Sequence, residues 1–239
     1  MAMRQEACAA AREALPVEST EITAPAPDST IREGEMEGAL HVVGEMGYRG
    51  ASVRAVLEYS GGHRKQFYDH FESLEDCFAA AYDAWIGRLG VSLIEAAVTG
   101  DSWRASVRAG MIRLLRFVVE RPQIARSLFV EVQIAGGAAL TKHDEAVDRL
   151  AALLDSVRAE IDPGQAPPEA TGIFVIGGIE AALCDVLAAG EANRAWDTLP
   201  ELMHLAIGSY LGRQAAEKEF EAARELIEGD RSQLGGEGR

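Results

Sequence analysis

Cysteine is scarce in this chain. Three residues, Cys8, Cys77 and Cys184, lie far apart and form no C-x-x-C pair. An odd, scattered set excludes a disulfide framework and fits a reducing compartment. Aromatic residues make up only 6% of the 239 positions. Period-two runs of β-branched residues bounded by hairpin turns are missing, which excludes a mainly β fold. No apolar run approaches the roughly 18–20 residues of a membrane helix. The start, MAMRQEACAAAREAL, carries glutamates where a secretion signal needs an apolar core. A cytoplasmic protein with no membrane partner is therefore expected. No glycine-rich phosphate loop follows a strand, and no Ser or Cys nucleophile stands in a motif. His41, His63 and His70 lack ligand spacing. His143-Asp144-Glu145 reads as a solvated helix face, because adjacent helical residues point in different directions. No catalytic residue, cofactor or metal is expected.

What is present favours helix. Hydrophobic residues make up 48% and charged residues 26%, an ordinary soluble balance, and Ala and Leu are abundant. Residues 1–30 read as a flexible extension, with the Pro- and Ser-rich linker VESTEITAPAPDST. Met36, Ala39, Leu40, Val43 and Met46 recur at helical spacing over 31–46, and Gly47 supplies a left-handed end. Gly34, Gly38 and Gly44 weaken that helix intrinsically. Ser52 is placed to cap a short helix to Tyr59. Gly61 turns the chain, and a second short helix runs from His63 to His70 with Phe67 inward. Ser73 opens a long helix with Glu75 and Asp76 in its first turn. Further helices are expected near 102–120, 123–135, 141–160, 169–190 and 199–213. The tail GDRSQLGGEGR reads as disordered.

The charge is uneven. The whole chain carries -15. Between Arg49 and His70, Arg49, Arg54, Arg64 and Lys65 face Glu58 and Asp69, so that 4 − 2 = +2. This island spans two short helices joined by a glycine turn, which is a helix-turn-helix pattern. The second helix of that motif enters the major groove of DNA by its N-terminal end. Arg64 offers a bidentate fork, Lys65 a point charge and Gln66 an amide able to pair adenine. Tyr68 and His70 can donate to phosphate. Arg54, on the first short helix, is near enough to reach the groove edge.

The stretch GYRGASVRAVLEYSGGHRKQFYDHFESLEDCFAAAYDAW, Gly47–Trp85, resembles the tetracycline-repressor-like (TetR/AcrR) family of transcriptional regulators. FYDHF followed by Ser73 and Glu75 is its most specific part, and a weaker likeness extends over residues 31–213. The resemblance implies an all-α chain, with an N-terminal three-helix DNA-binding domain and a larger helical domain for ligand binding and dimerisation. Its expected divisions are 1–30 extension, 31–76 DNA-binding domain, 77–213 ligand-binding and dimerisation domain, and 214–239 charged, partly disordered tail. It also implies a homodimer joined by the last two helices of that domain, double-stranded operator DNA as partner, and a small apolar or amphipathic effector that causes release. The resemblance places the DNA contacts at Ser52, Arg54, Arg64, Lys65, Gln66, Tyr68 and His70, and His63, at the head of the second short helix, joins them as a candidate DNA-binding residue. Leu57, Gly62 and His63 depart from the family pattern, as does Glu35 in the first helix. An alternative reading is a regulator-like protein with weakened DNA binding that acts through protein partners. Trp85, Leu89, Met111, Leu114, Leu115, Val118, Phe129 and Phe174 lie on apolar stripes read as facing inward, and are the candidate ligand contacts.

Overall fold

The computed structural model describes residues 30–161 and 164–236. Among them every regular element is helical, as the scarcity of strand signals requires. Apart from Thr30, the extension expected over 1–30 lies outside the described residues. The elements are α1 (Thr30–Met46), α2 (Val53–Ser60), α3 (Arg64–His70), α4 (Leu74–Ala97), α5 (Trp103–Glu120), α6 (Pro122–Arg126), α7 (Val132–Ala135), α8 (Gly137–Asp155), α9 (Thr171–Ala188), α10 (Leu199–Leu211) and α11 (Arg213–Gly236). Short 3₁₀ segments cover Ser156–Glu160 and Ala192–Thr198. The expected helices appear within a few residues. The largest shift is α8, which starts at Gly137 directly after Gly136 turns the chain at φ 64.

The helices form two compact units. Among described residues, one comprises 30–91 and 120–146, and the other 92–119 and 147–236. The first unit thus takes in more chain than the expected 31–76 segment. Its core holds Leu40, Val43, Val56, Phe67, Phe71, Phe78, Tyr82 and Leu128, all nearly or fully buried. Gly44 belongs to this packing. A Cβ there would lie 1.9 Å from the Gln123 carbonyl oxygen, so a glycine that costs helix propensity lets α6 approach α1 backbone to backbone.

Between α6 and α7 the helix widens into one π-helical turn, Ser127–Glu131. The side chains around it are tied down. The Ser127 hydroxyl donates to the Leu40 carbonyl at 2.5 Å, and the Tyr82 hydroxyl donates to the Leu128 carbonyl at 3.3 Å. Glu131, only 2% exposed, accepts from the Tyr48 backbone N–H at 2.9 Å and from Arg126 at 3.1 Å. The carboxylate therefore holds the loop between α1 and α2.

His143 is not on a solvated face. It is 5% exposed. Its Nδ1 lies 3.0 Å from the Tyr82 hydroxyl and its Nε2 lies 3.2 Å from the Gln133 amide nitrogen. It is a core histidine satisfied at both nitrogens.

In the second unit, α9 and α10 meet closely enough that a Cβ on Gly178 would fall 2.8 Å from Leu205 Cδ2. Gly177 has open space instead. The Tyr210 hydroxyl donates to Asp155 Oδ1 at 2.6 Å, joining α10 to the end of α8. The charged tail expected after residue 213 is instead largely helix. Ala216, Glu219, Ala223 and Ile227 are buried along one stripe of α11. Arg108 donates to Glu219 through Nε at 3.1 Å and Nη2 at 2.5 Å. A helical stripe with one buried, doubly bonded carboxylate does not need an apolar composition to pack. α9 also corrects an expectation: its 18 residues, of mean hydropathy 1.7, are long and apolar enough to cross a membrane by length and composition. It carries Glu180 and Asp185 within that span.

Candidate nucleic-acid interface

α2 begins where Ser52, in extended backbone, accepts a hydrogen bond from the Ala55 N–H at 3.3 Å. It ends at Gly61, whose φ of 70 is the left-handed conformation a side chain would resist. Val56 and Phe67 are fully buried, and these two side chains fix the faces that α2 and α3 turn outward. His63 occupies the cap position of α3 without a side-chain cap bond, so its imidazole is not committed to the helix end.

The outward residues do not behave alike. The Arg54 side chain is 88% exposed and its Nε pairs with Glu58 at 2.7 Å. The hydrogen bond and the charge of Glu58 hold its guanidinium above its ordinary range. Arg64 is exposed and lies over the Tyr68 ring at 5.5 Å from the centroid. This is a cation–π geometry that restricts where the fork points. Lys65 is exposed and Gln66 half-buried. Ser52, Arg54, Arg64 and Tyr68 line one open groove with Val53, Leu57, Glu58 and Gly62. Lys65, Gln66, His63 and His70 lie outside that lining. His70 turns its Nδ1 inward, 2.7 Å from Glu35 Oε2.

Three partners were not found from sequence. Glu58 stands four residues after Arg54, a spacing that does announce a helix pair. Glu35 and Glu131 meet groups 35 and 83 residues away, and no local pattern reports such a contact. The arrangement offers a guanidinium braced on a ring, a free ammonium and an exposed arginine at the mouth of a groove. Side chains of this kind can bind phosphate oxygens and base edges.

The candidate effector residues divide between the units. In the first, Trp85 and Leu89 are 5% and 2% exposed, and Phe129 is half-buried. In the second, Met111, Leu115 and Val118 are buried and Leu114 is half-buried. Phe174 corrects the expected inward placement: it is 74% exposed. The period of α9 puts Val175, Ile179 and Leu183 inward and turns Phe174 out.

No protein-family model matches the chain, and no curated protein matches it in sequence. Solved structures do resemble it. The fatty acid degradation regulator FadR from Bacillus halodurans superposes with a TM-score of 0.65 at 13% identity, over 74% of this chain and 97% of that one. FadR from Bacillus subtilis, solved in complex with stearoyl-CoA, gives 0.63 at 14% identity over 74% and 97%. A TetR family transcription regulator from Marinobacter aquaeolei VT8 gives 0.61 at 16% identity over 77% and 96%. This chain has the all-α fold of those regulators.

Proposed function

We propose that this chain is a homodimeric transcription regulator, a repressor that holds operator DNA with α2 and α3 and releases it when a small apolar or amphipathic effector binds. The observation that carries the reading is the outward face of α3. Arg64 braced on Tyr68 and Lys65 exposed concentrate positive charge on a protein of net charge -15. A solvated face has no need of that concentration, whereas a phosphate backbone supplies one. The shared fold with transcriptional regulators supports it. The stearoyl-CoA bound to one of them supports an amphipathic effector with a long apolar part. A second copy of the chain accounts for the outer face of α9 and α10, where Phe174, Ile173 and Leu205 are 74%, 37% and 36% exposed.

The test is selection from a randomised duplex pool, then fluorescence anisotropy on the winner and on a scrambled duplex across salt. The reading requires preference for the winner and an affinity that falls with salt by about 0.9 log units per log unit for each phosphate neutralised. Arg64→Ala or Gln66→Ala, where it removes a base contact, relaxes discrimination by about 1–3 kcal/mol. Arg54→Ala lowers affinity on both duplexes. A wild-type protein with no preference for any duplex would leave the alternative, action through protein partners.

A further inference from the structure

Glu35 lies in the middle of α1 with no exposed surface. A buried carboxylate is costly unless it is paired and hydrogen-bonded. This one has a single side-chain partner. Its Oε2 is 2.7 Å from His70 Nδ1, and its Oε1 is buried without a hydrogen-bond partner. Gly62 keeps the site open, since a Cβ there would come 3.5 Å from Oε1. With Glu35 taken as the anion, the carboxylate only accepts and His70 Nδ1 is the donor. That assignment fixes the ring: Nε2 is the remaining nitrogen, and no partner within the described residues takes it. The His70 side chain is 28% exposed against 0% for Glu35. The imidazole thus runs from a buried anion to the surface at the end of α3.

We infer that Glu35 is a positioning residue for operator binding: it holds His70 by Nδ1 so that Nε2–H donates to a DNA phosphate, and binding takes up a proton at His70. This rests on α3 facing operator DNA as proposed above. An Nε2–H exists on a ring already protonated at Nδ1 only in the imidazolium form. The proton comes from solvent wherever the free protein holds the ring neutral. The cation then bridges two anions, Glu35 inside and phosphate outside. The other titratable or charged groups by the pair are Arg32 on α1 and Asp76 and Cys77 on α4, with Asp69 next to His70 and His63 next to Gly62 along the chain. Arg32 lies over the Phe71 ring at 4.9 Å, and the Cys77 thiol donates to the Glu35 carbonyl at 3.7 Å. Neither occupies Nε2.

The test is anisotropy on the selected operator from pH 6 to 8, about the histidine range, for wild type, Glu35→Gln, His70→Gln, the double variant and a His41→Gln control. Circular dichroism checks that each is folded. Wild-type affinity falls as pH rises, and the His70→Gln profile is flat. At the low end of the range, Glu35→Gln and His70→Gln each weaken binding about tenfold, the order expected for a hydrogen bond to a charged group. The double variant is no weaker than either single one, because Glu35 acts only through His70. His41→Gln, at a histidine stacked on Tyr59 and outside the proposed DNA contacts, retains the wild-type slope. Additive losses, or a His70→Gln profile parallel to wild type, overturn the inference while leaving DNA binding intact. Failure of wild type to prefer any duplex removes the DNA reading itself and the inference with it. Should Glu35→Gln fail to fold, the His70→Gln profile alone decides.

Discussion

At Gly62 the turn carries no side chain, and neighbouring groups lie against the space. A Cβ there would meet Leu57 Cδ2 at 3.2 Å and Ser60 Oγ at 3.2 Å, so Leu57 reaches into the volume that a larger residue at 62 would fill. Leu57 is half-buried, and Leu57→Ala is expected to cost about 1–2 kcal/mol, below the range for fully buried leucine. Gly62→Val should overpack the turn and cost about 1–3 kcal/mol. The double variant should recover part of the loss, since contacting residues couple by about 0.5–3 kcal/mol. Urea unfolding of the four proteins at one fixed concentration checks this, and strict additivity would separate the two sites. At this scale much was readable in advance. Ser52 as a cap, Gly61 as a left-handed turn and Phe67 as a core residue follow from chemistry within a few positions. The Glu35–His70 pair does not, because hydrophobic periodicity says which face is inward but not which polar groups meet there. The same limit hid His143, whose acidic neighbours in sequence gave it a surface character that its burial contradicts.

Among the elements, α11 departs most from what composition suggested. Its charges hid a stripe at 216, 219, 223 and 227, and that spacing is helical once the charged residues between are read as the outer face. The key contact is Glu219 with Arg108, while Arg104 lies 3.8 Å away. Removing the buried anion leaves partly buried cations facing apolar packing. Glu219→Ala is expected to cost about 2–3 kcal/mol, less than a fully buried pair because Arg108 keeps some contact with water. Thermal unfolding measures it, and a change within about 0.5 kcal/mol, the range of surface substitutions, would show that α11 is held by its apolar stripe alone. A second element contact answers to pH. Burial first, and then the bond to Asp155 and its charge, push the Tyr210 hydroxyl well above its ordinary value. A raised folded-state value favours the protonated phenol. The contribution to stability is therefore complete below about pH 10, the unfolded value, and is lost as pH rises through the folded one. Chemical denaturation between pH 8 and 11 should show a fall in wild type that Tyr210→Phe reduces.

Over the whole molecule, the acidic total and the small basic island set the terms of encounter. On the proposed reading, a DNA-sized polyanion is attracted by the basic face and repelled by the acidic remainder, which favours a single orientation and makes association steeply salt-dependent. Pairing of two chains would present two such faces. Phe174 is the most exposed large hydrophobic side chain among the described residues, at 74%, and it lies on a helix whose other exposed members include Ile173. Phe174→Glu is expected to shift the protein to monomer in light scattering coupled to size exclusion, and to lower operator affinity without touching α3. A variant that stays dimeric would place the second copy on another face.

The widened turn at Ser127–Glu131 bears on which length changes this chain tolerates. A π-helical turn accommodates one residue more than the surrounding α-helix. Deleting Val130 would let α6 and α7 join in a regular ladder, with backbone hydrogen bonding satisfied. It would also re-aim the side chains within the turn itself, carrying the Glu131 carboxylate away from the Tyr48 N–H it now meets at 2.9 Å. A single-codon deletion here should therefore yield a helical protein whose α1–α2 loop has lost its anchor, visible as faster amide exchange at Tyr48. Where neighbouring helices treat an indel as a break, this turn would absorb it and pass the cost to a loop 83 residues upstream.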